Sequence, residues 1–519
     1  MQQTDRQAVD PELRGTAPSD WIAVHAAARP QQTALTQGQQ RLSYADLDEQ
    51  VARFAEALGA FGVRPGDRVA TLLHNSIEFV ITFLATLRAG AIALPMNPEY
   101  RESEIERYFD EARPRVIVAD REFTSLVNQV LANRSVINCV LIGCPEGKGA
   151  WYRFPELIAH HRPSSLRERF DPSVPALWLH SSGSTGSSKR VSRTRAQLAA
   201  EAEAFRSKVG TTAEDAILCA VPLSHAHGLG NGLLAAAYAG ANLVLLERFE
   251  AGSALRAIRE ERVTLLPAVP LMYRALASTQ TGEDLDLSSL RLCFSSGAPL
   301  SLDTFRAFRE RYGISVRQLF GSTETGAVAI NLDDDIESSH DSVGTPLEGI
   351  EFEVFGPDGH VLDAGQEGVV GVRSPAMFSG YEERTDLNER AFRSGYFFPG
   401  DRGCKDEQGR IRITGRDTAF INLGANKVDP AEVERVLCSH PRVLECVVLG
   451  VQQAGGDEVV KAVIVASGGC EEDQILDHCR DRIAAFKVPR IIEFRSELPR
   501  SPLGKVLRKY LAQPGGRLG

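Results

Sequence analysis

The chain has no hydrophobic run long enough to cross a bilayer. Its most apolar stretch, "FVITFLATL" at 79–87, is less than half of the about 20 residues a spanning helix needs. The first twenty residues, "MQQTDRQAVDPELRGTAPSD", lack the apolar core of a signal peptide. The nine cysteines are scattered, odd in number and never form a C-x-x-C pair. That spacing argues against a zinc site and against a disulfide framework, so reduced thiols in a cytoplasmic protein are expected. Positive charge is also short. Lys and Arg number 58 against 68 Asp and Glu, a net charge of −10, which argues against nucleic acid or anionic lipid as the main partner. Internal repeats and coiled-coil heptads are absent. What remains is a chain of 519 residues, 43% hydrophobic, with the composition of a soluble globular protein of several domains.

Residues 1–20 read as a loose tail. From there helical and strand patterns alternate. "YADLDEQVARFAEAL" places Leu47, Val51, Phe54 and Leu58 on one helical face, and "GVRPGDRVATLL" follows as a stop, a turn and a strand. The rhythm continues with a helix at 76–89, "AIALP", "ESEIERYFDEA" and "PRVIVAD". A second series from about 191 to 320 carries the strands "AILCAVP", "NLVLLE", "VTLLPA" and "LRLCFSS". This alternation predicts an α/β fold of βα units on parallel sheets. From about 343 to 415, short strands separated by Gly/Asp turns predict a small antiparallel sheet or barrel. Beyond it an α+β module is expected, with helices at 431–438 and around 472–485 and the strands "LECVVLG" and "VVKAVIVA" between them.

The segment "HSSGSTGSSKR" at 180–190 is ambiguous. Its composition suits a flexible linker. Its flanks, "VPALWLH" and "RTRAQLAAEAEAFRSKV", suggest a strand, a glycine turn and a helix, the frame in which backbone N–H groups hold phosphate. It is not a Walker A loop, because Lys189 stands three residues after Gly186. Ser181, Ser182, Gly183, Ser184, Thr185, Gly186 and Lys189 nevertheless offer close backbone approach, hydroxyl donors and a cation.

Other stretches decide between the two. In chain order they are "PLSHAHG" at 222–228, "SSGAPLS" at 295–301, "QLFGSTETG" at 318–326, "EGVVGVRSPAMFSGY" at 367–381, "SGYFFPGDRG" at 394–403, "TGRDTAFINLGANKVDPAEVE" at 414–434 and "LPRSPLGKVLRKYL" at 498–511. In this order the set resembles the adenylate-forming superfamily of acyl-CoA ligases, adenylation domains and luciferases, and the resemblance covers nearly the whole chain. It implies a large N-terminal domain of two βα-layered sheets plus a small β-barrel (residues 21–415, barrel about 343–415), a hinge at 416–418 and a smaller mobile α+β domain at 419–519.

The resemblance also implies roles. The loop 181–189 would hold the β- and γ-phosphates of ATP. In "FGSTE", Thr323 would donate to the α-phosphate and Glu324 would hold Mg²⁺, although "STE" taken alone reads more readily as a helix start. Ser296, Gly297, Ala298 and Pro299 would form one wall of an adenine site, Phe320 the other, with Gly321 and Ser322 beside it. Asp401 and Arg416 would contact the ribose. Lys505 would serve adenylation from the mobile module. His225, His227, Gly228, Gly297 and Gly326 would line the acid pocket. Gly424 and Ala425 would line a pantetheine tunnel, and Thr418 would be the pivot. Several positions depart from the family pattern: Ser188-Lys189-Arg190 stands where Pro-Lys-Gly is common, Thr418 where Asp or Lys is usual, and Ala425 where Gly is typical.

The implied activity is an ATP- and Mg²⁺-dependent carboxylic acid–CoA ligase, monomeric or homodimeric. A free-standing enzyme loading an acyl carrier protein is the alternative, and a non-catalytic binder on the same fold is the third class. From His225 through Leu246 the chain has no Asp or Glu, so an α-amino acid, whose ammonium would need a partner, is disfavoured. Apolar segments such as "GLGNGLLAAAYAG" and "TGAVAI" suit an apolar acyl or aryl acid. A dicarboxylate requires Arg317 or His227 to turn inward.

Overall fold

The computed structural model describes residues 13, 16–100, 102–132, 138–142, 151–163, 171–181, 189–280, 286–382, 384–416, 421–423, 426–428, 430–452, 458–483, 485–501 and 506–512. The chain divides into two compact units. The first comprises Met1–Ser181, Lys189–Phe352 and Val372–Arg390; the second comprises Ser182–Ser188, Glu353–Gly371 and Ala391–Gly519.

The first unit holds two large sheets. One has seven strands in the spatial order Trp151–Arg153, Asn138–Ile142, Val116–Asp120, Arg68–Leu72, Ile92–Pro95, Pro175–Ser181 and Lys189–Thr194. All pairs are parallel except the last, an antiparallel hairpin. The other has nine strands, and its centre is parallel: Val316–Ser322, Leu292–Ser295, Leu265–Ala268, Ala216–Cys219, Asn242–Leu245 and Thr33–Gln37. Strands such as Ile92–Pro95 and Leu292–Ser295 are buried at every residue, as expected where helices cover both faces. Helix Tyr44–Ala60 starts at a capping box of Ser43 and Asp46 and buries the apolar face read from its spacing. Helix Ile77–Arg88 is capped by Ser76 and buried at nearly every position.

The second unit carries an antiparallel sheet built on Gly368–Arg373, Asp401–Lys405 and Ile411–Arg416. Its strand order is open, ending in the two-residue strands Tyr396–Phe397 and Phe392–Arg393, so among the described residues it is a sheet and not a closed barrel. The same unit contains helices Pro430–Cys438 and Glu472–Arg480 and a sheet of Val443–Gln452, Glu458–Ala466 and Ile491–Phe494. Ile421, Val433, Leu437, Val448, Ile464 and Ile475 form its core.

Two helix boundaries differ from expectation. A helix begins at Pro18, inside the expected tail. The helix expected to reach 485 stops at Arg480. The small sheet falls in the same compact unit as the C-terminal module. Within that unit, Arg435 donates to the carbonyl of Thr414 at 3.3 Å.

Candidate active site

The strands Ala216–Cys219, Leu265–Ala268, Leu292–Ser295 and Val316–Ser322 lie side by side and parallel. Ligands in open α/β sheets bind beyond the carboxyl ends of such strands, and most of the expected site residues of the first unit follow those ends. After the first strand comes His225, which precedes a continuous helical stretch: Ala226–Gly228, a π-helical turn Leu229–Leu234, and Ala235–Ala239. Gly228 turns out to serve packing. A Cβ there would lie 2.5 Å from the Pro222 carbonyl oxygen, so only glycine lets the helix approach that backbone.

Both histidines are half-buried at the surface, with their rings set into the protein and neutral near pH 7. Burial pushes the His225 imidazole down to about 4, helped by His227 beside it. Burial pushes His227 down to about 4 as well. His227 Nε2 sits 3.1 Å from the Ala268 carbonyl and its Nδ1 is 2.9 Å from Asn231 Nδ2, an arrangement of the neutral ring that holds it in place. Arg317 donates to the carbonyl of Asp333. Neither residue therefore turns inward as a free cation for a second substrate carboxylate.

The turn expected at the adenine site follows Leu292–Ser295 and leads to helix Leu302–Tyr312, capped by Ser301. Ser296 is buried, whereas Gly297, Ala298 and Pro299 are exposed, and Gly297 has φ +86°. The turn is tied to the next strand, since Leu300 N donates to Gln318 Oε1 at 3.1 Å. Phe320, near the end of that strand, is half-buried and packs edge-on against Phe352.

"STE" does not start a helix. It forms the turn of an antiparallel hairpin between Val316–Ser322 and Gly326–Ile330. Ser322 N donates to Thr325 Oγ1 at 3.0 Å and Thr325 N donates to Ser322 Oγ at 3.2 Å. Gly321 is required by close approach, as a Cβ would meet the Gly326 carbonyl at 2.3 Å, and Gly326 has φ +67°. Glu324 is 9% exposed. Its Oε1 accepts from the Tyr381 hydroxyl at 2.9 Å, and its backbone carbonyl accepts from Phe378 N at 2.8 Å. Burial and the Glu324 charge both raise the Tyr381 pKa, so its phenol stays protonated and donating. Lys189 Nζ lies 5.1 Å from the Tyr381 ring centroid. The side chain of Tyr381 thus joins the loop lysine to the hairpin carboxylate. Sequence reasoning missed this tyrosine, although it ends the quoted stretch "MFSGY".

The loop 182–188 lies outside the described residues, but its frame differs from expectation. It joins two antiparallel strands, with Ser181 opposite Lys189. The helix begins only at Arg195, behind a capping box of Thr194 and Gln197, because "KRVSRT" pairs as a strand first. Arg190 is not left pointing to solvent. It is ion-paired with Glu111 at 3.2 Å and Glu382 at 2.5 Å and lies over the Trp178 ring.

In the second unit, Asp401 is buried at the start of its strand and is the register partner of Arg416 on the neighbouring strand, which brings the two expected ribose ligands together. Thr418, Gly424, Ala425 and Lys505 lie outside the described residues.

The residues present suit the expected ligands. Glu324 offers a hard carboxylate oxygen to a cation such as Mg²⁺. Buried polar atoms of Ser224 (Oγ), His225 (Nε2) and Ser295 (Oγ) have no hydrogen-bond partner among the described residues, and such groups call for a polar ligand.

The family model of the AMP-binding enzyme matches residues 22–382, and that of the AMP-binding enzyme C-terminal domain matches 432–505. A feruloyl-CoA synthase of an Amycolatopsis species is 32% identical over 96% of this chain and 98% of its own length. An indoleacetate–CoA ligase of Aromatoleum aromaticum is 31% identical over 95% and 97%. The crystal structure of ATP-bound MatB from Rhodopseudomonas palustris superposes with a TM-score of 0.85 at 29% identity, covering 95% of this chain and 98% of that one. With motifs, fold and relatives in agreement over almost its full length, the chain belongs to the AMP-binding enzyme family.

Proposed function

We propose that the acid activated by this chain is an aryl acid whose ring end carries no charge. The chain is an AMP-forming acid–CoA ligase: a carboxylate displaces pyrophosphate from ATP, and the acyl group then passes to the thiol of CoA. One observation carries the choice of acid. The helical stretch after His225 presents neutral imidazoles, and two charged residues that could pair with a substrate are already engaged: Arg317 by Asp333, and Glu201 by Arg193 at 2.6 Å. A second charge on the substrate would be buried without a partner there. The names of the two relatives, which act on ferulate and indoleacetate, support the same class.

Thr323 donates to the α-phosphate in this reading, and Glu324, oriented by Tyr381, holds the magnesium ion. When bound, Mg²⁺ neutralises phosphate charge as the two anions meet. Lys189 and the serines of the loop 181–188 hold the β- and γ-phosphates. Ser296–Pro299 and Phe320 flank the adenine, and Asp401 with Arg416 takes the ribose. Lys505 donates to the developing charge in adenylation, and the C-terminal module pivots near Thr418 so that Gly424 and Ala425 line the pantetheine path. The free thiols of the eight described cysteines suit a reducing, cytoplasmic setting. Among the described residues no helix is long and apolar enough to cross a membrane.

A panel of aryl, aliphatic and dicarboxylic acids, offered with either CoA or a phosphopantetheinylated carrier protein, tests the proposal by mass spectrometry. Aryl-CoA thioesters are the expected products. Turnover confined to aliphatic acids or dicarboxylates would contradict the choice of acid, and transfer to the carrier in preference to CoA would favour carrier loading.

A further inference from the structure

A buried ion pair lies behind the hairpin and has no part in the chemistry above. Arg193, on the strand Lys189–Thr194, and Glu201, on the helix Arg195–Val209, are 2% and 3% exposed, with Arg193 Nη1 2.6 Å from Glu201 Oε2. Each end of the pair grips a different segment of the site. Glu201 Oε1 accepts from Ala327 N at 3.2 Å, just past the "STET" turn. Arg193 Nη2 donates to the Ala376 carbonyl at 2.8 Å and the Gln197 carbonyl at 3.1 Å. Ala376 opens the segment whose Phe378 N and Tyr381 hydroxyl both bind Glu324. Space is cleared for the carboxylate on two sides: a Cβ on Gly230 would lie 2.5 Å from Glu201 Oε1, and one on Gly326 would lie 2.6 Å from Glu201 Cδ.

A buried pair of this kind adds little net stability, because desolvation offsets the attraction, and replacing both partners by uncharged groups is often neutral. What it supplies here is a fixed link. We infer that Arg193 and Glu201 are positioning residues for adenylation: they clamp the hairpin turn to the segment 376–381 and thereby aim the Glu324 carboxylate at the metal-binding position. The inference rests on the reading of Glu324 as the magnesium ligand.

The test uses the full-length enzyme carrying Arg193→Met and Glu201→Gln together. Two measurements are made: Mn²⁺ binding by electron paramagnetic resonance with a non-hydrolysable ATP analogue present, and the two half-reactions separately. Weakened Mn²⁺ binding by about tenfold or more is expected, with adenylation falling about 10- to 100-fold. Thioester formation from supplied acyl-adenylate should stay within about twofold. A cooperatively melting double variant with unchanged Mn²⁺ binding would overturn the inference, as would equal loss in both half-reactions. Glu324→Gln is the reference. If it too leaves Mn²⁺ binding unchanged, the reading of Glu324 has failed; if it abolishes binding while the double variant does not, only the clamp has failed. Should the double variant not melt cooperatively, Tyr381→Phe cuts the last link alone, and unaltered Mn²⁺ binding in it overturns the inference.

Discussion

Two regions of the first unit face the same chemistry with opposite means. The hairpin Val316–Ile330 is held by charge: Glu324 with Tyr381 and, behind it, the Arg193–Glu201 pair. The helical stretch after His225 is held by shape: a π-helical turn, three glycines at 228, 230 and 232, and imidazoles that burial keeps neutral. The difference teaches that, on the proposed function, reaction and selection fall to separate elements. In the proposed function the hairpin works on phosphate and metal, which every acid shares, and the helix works on the part of the acid that varies.

Substitutions that break this division should rank accordingly. The largest effect is expected from Glu324→Gln, which removes a charge from the metal side. Adenylation should fall about 10²- to 10³-fold, the scale of losing one preorganised electrostatic group. Its magnesium dependence should weaken while acid binding changes little. A magnesium titration of pyrophosphate release measures this, and an unshifted titration would remove Glu324 from the metal.

Gly326→Ala comes next. A Cβ there meets Glu201 and occupies φ +67°, so both sterics and backbone disfavour it, at about 1–3 kcal/mol. Thermal melting should show that loss, with adenylation and acid selection damaged together, since this glycine joins the two regions. Gly230→Ala should be milder, because alanine gains up to about 1 kcal/mol of helix propensity over glycine. It too crowds Glu201, so a raised KM for the acid is expected in steady-state kinetics, with the magnesium dependence weakened in the same direction as in Gly326→Ala but less.

The smallest effect concerns pH. His225 and His227 have folded values near 4, below the ordinary 6.5. The unfolded chain therefore binds more protons between about pH 6.5 and 4, and folding stability falls as pH drops through that window. Each imidazole contributes at most about 1.4 kcal/mol per pH unit. Melting temperatures across the window should fall less steeply in His225→Gln than in the parent enzyme; an identical slope would show that burial of His225 is not the cause.

Much of this was legible in the sequence because it is periodic or punctuated. Strands such as "PRVIVAD" and "LRLCFSS" and the helix from Tyr44 carry their own patterns, and the glycine-rich motifs mark the turns between them. The hairpin at Ser322–Gly326 was not legible as a hairpin. "STE" followed by "TG" reads locally as a helix start, and only the pairing of Gly326–Ile330 with Val316–Ser322 decides otherwise. The same holds for Lys189–Thr194, whose strand character comes from its partner Pro175–Ser181. Glu201 and Tyr381 were hidden for another reason. Glu201 looks like a surface position of an alanine-rich helix, and Tyr381 stands 57 residues from the carboxylate it binds. Contacts that join distant segments leave no local signal.

The most direct test of the division itself compares matched pairs of acids. Each pair shares one aryl carboxylate, and the second member adds a carboxylate or an ammonium at the far end of the ring. The measurement is kcat/KM for CoA thioester formation, together with the magnesium dependence of each. The account predicts that the charged member loses at least about tenfold, the equivalent of 1.4 kcal/mol, with its magnesium dependence unchanged. Equal or better use of the charged member would contradict it, for the proposed acid site beside His225 would then hold a charge that the neutral imidazoles and the Arg193–Glu201 pair leave no means to meet.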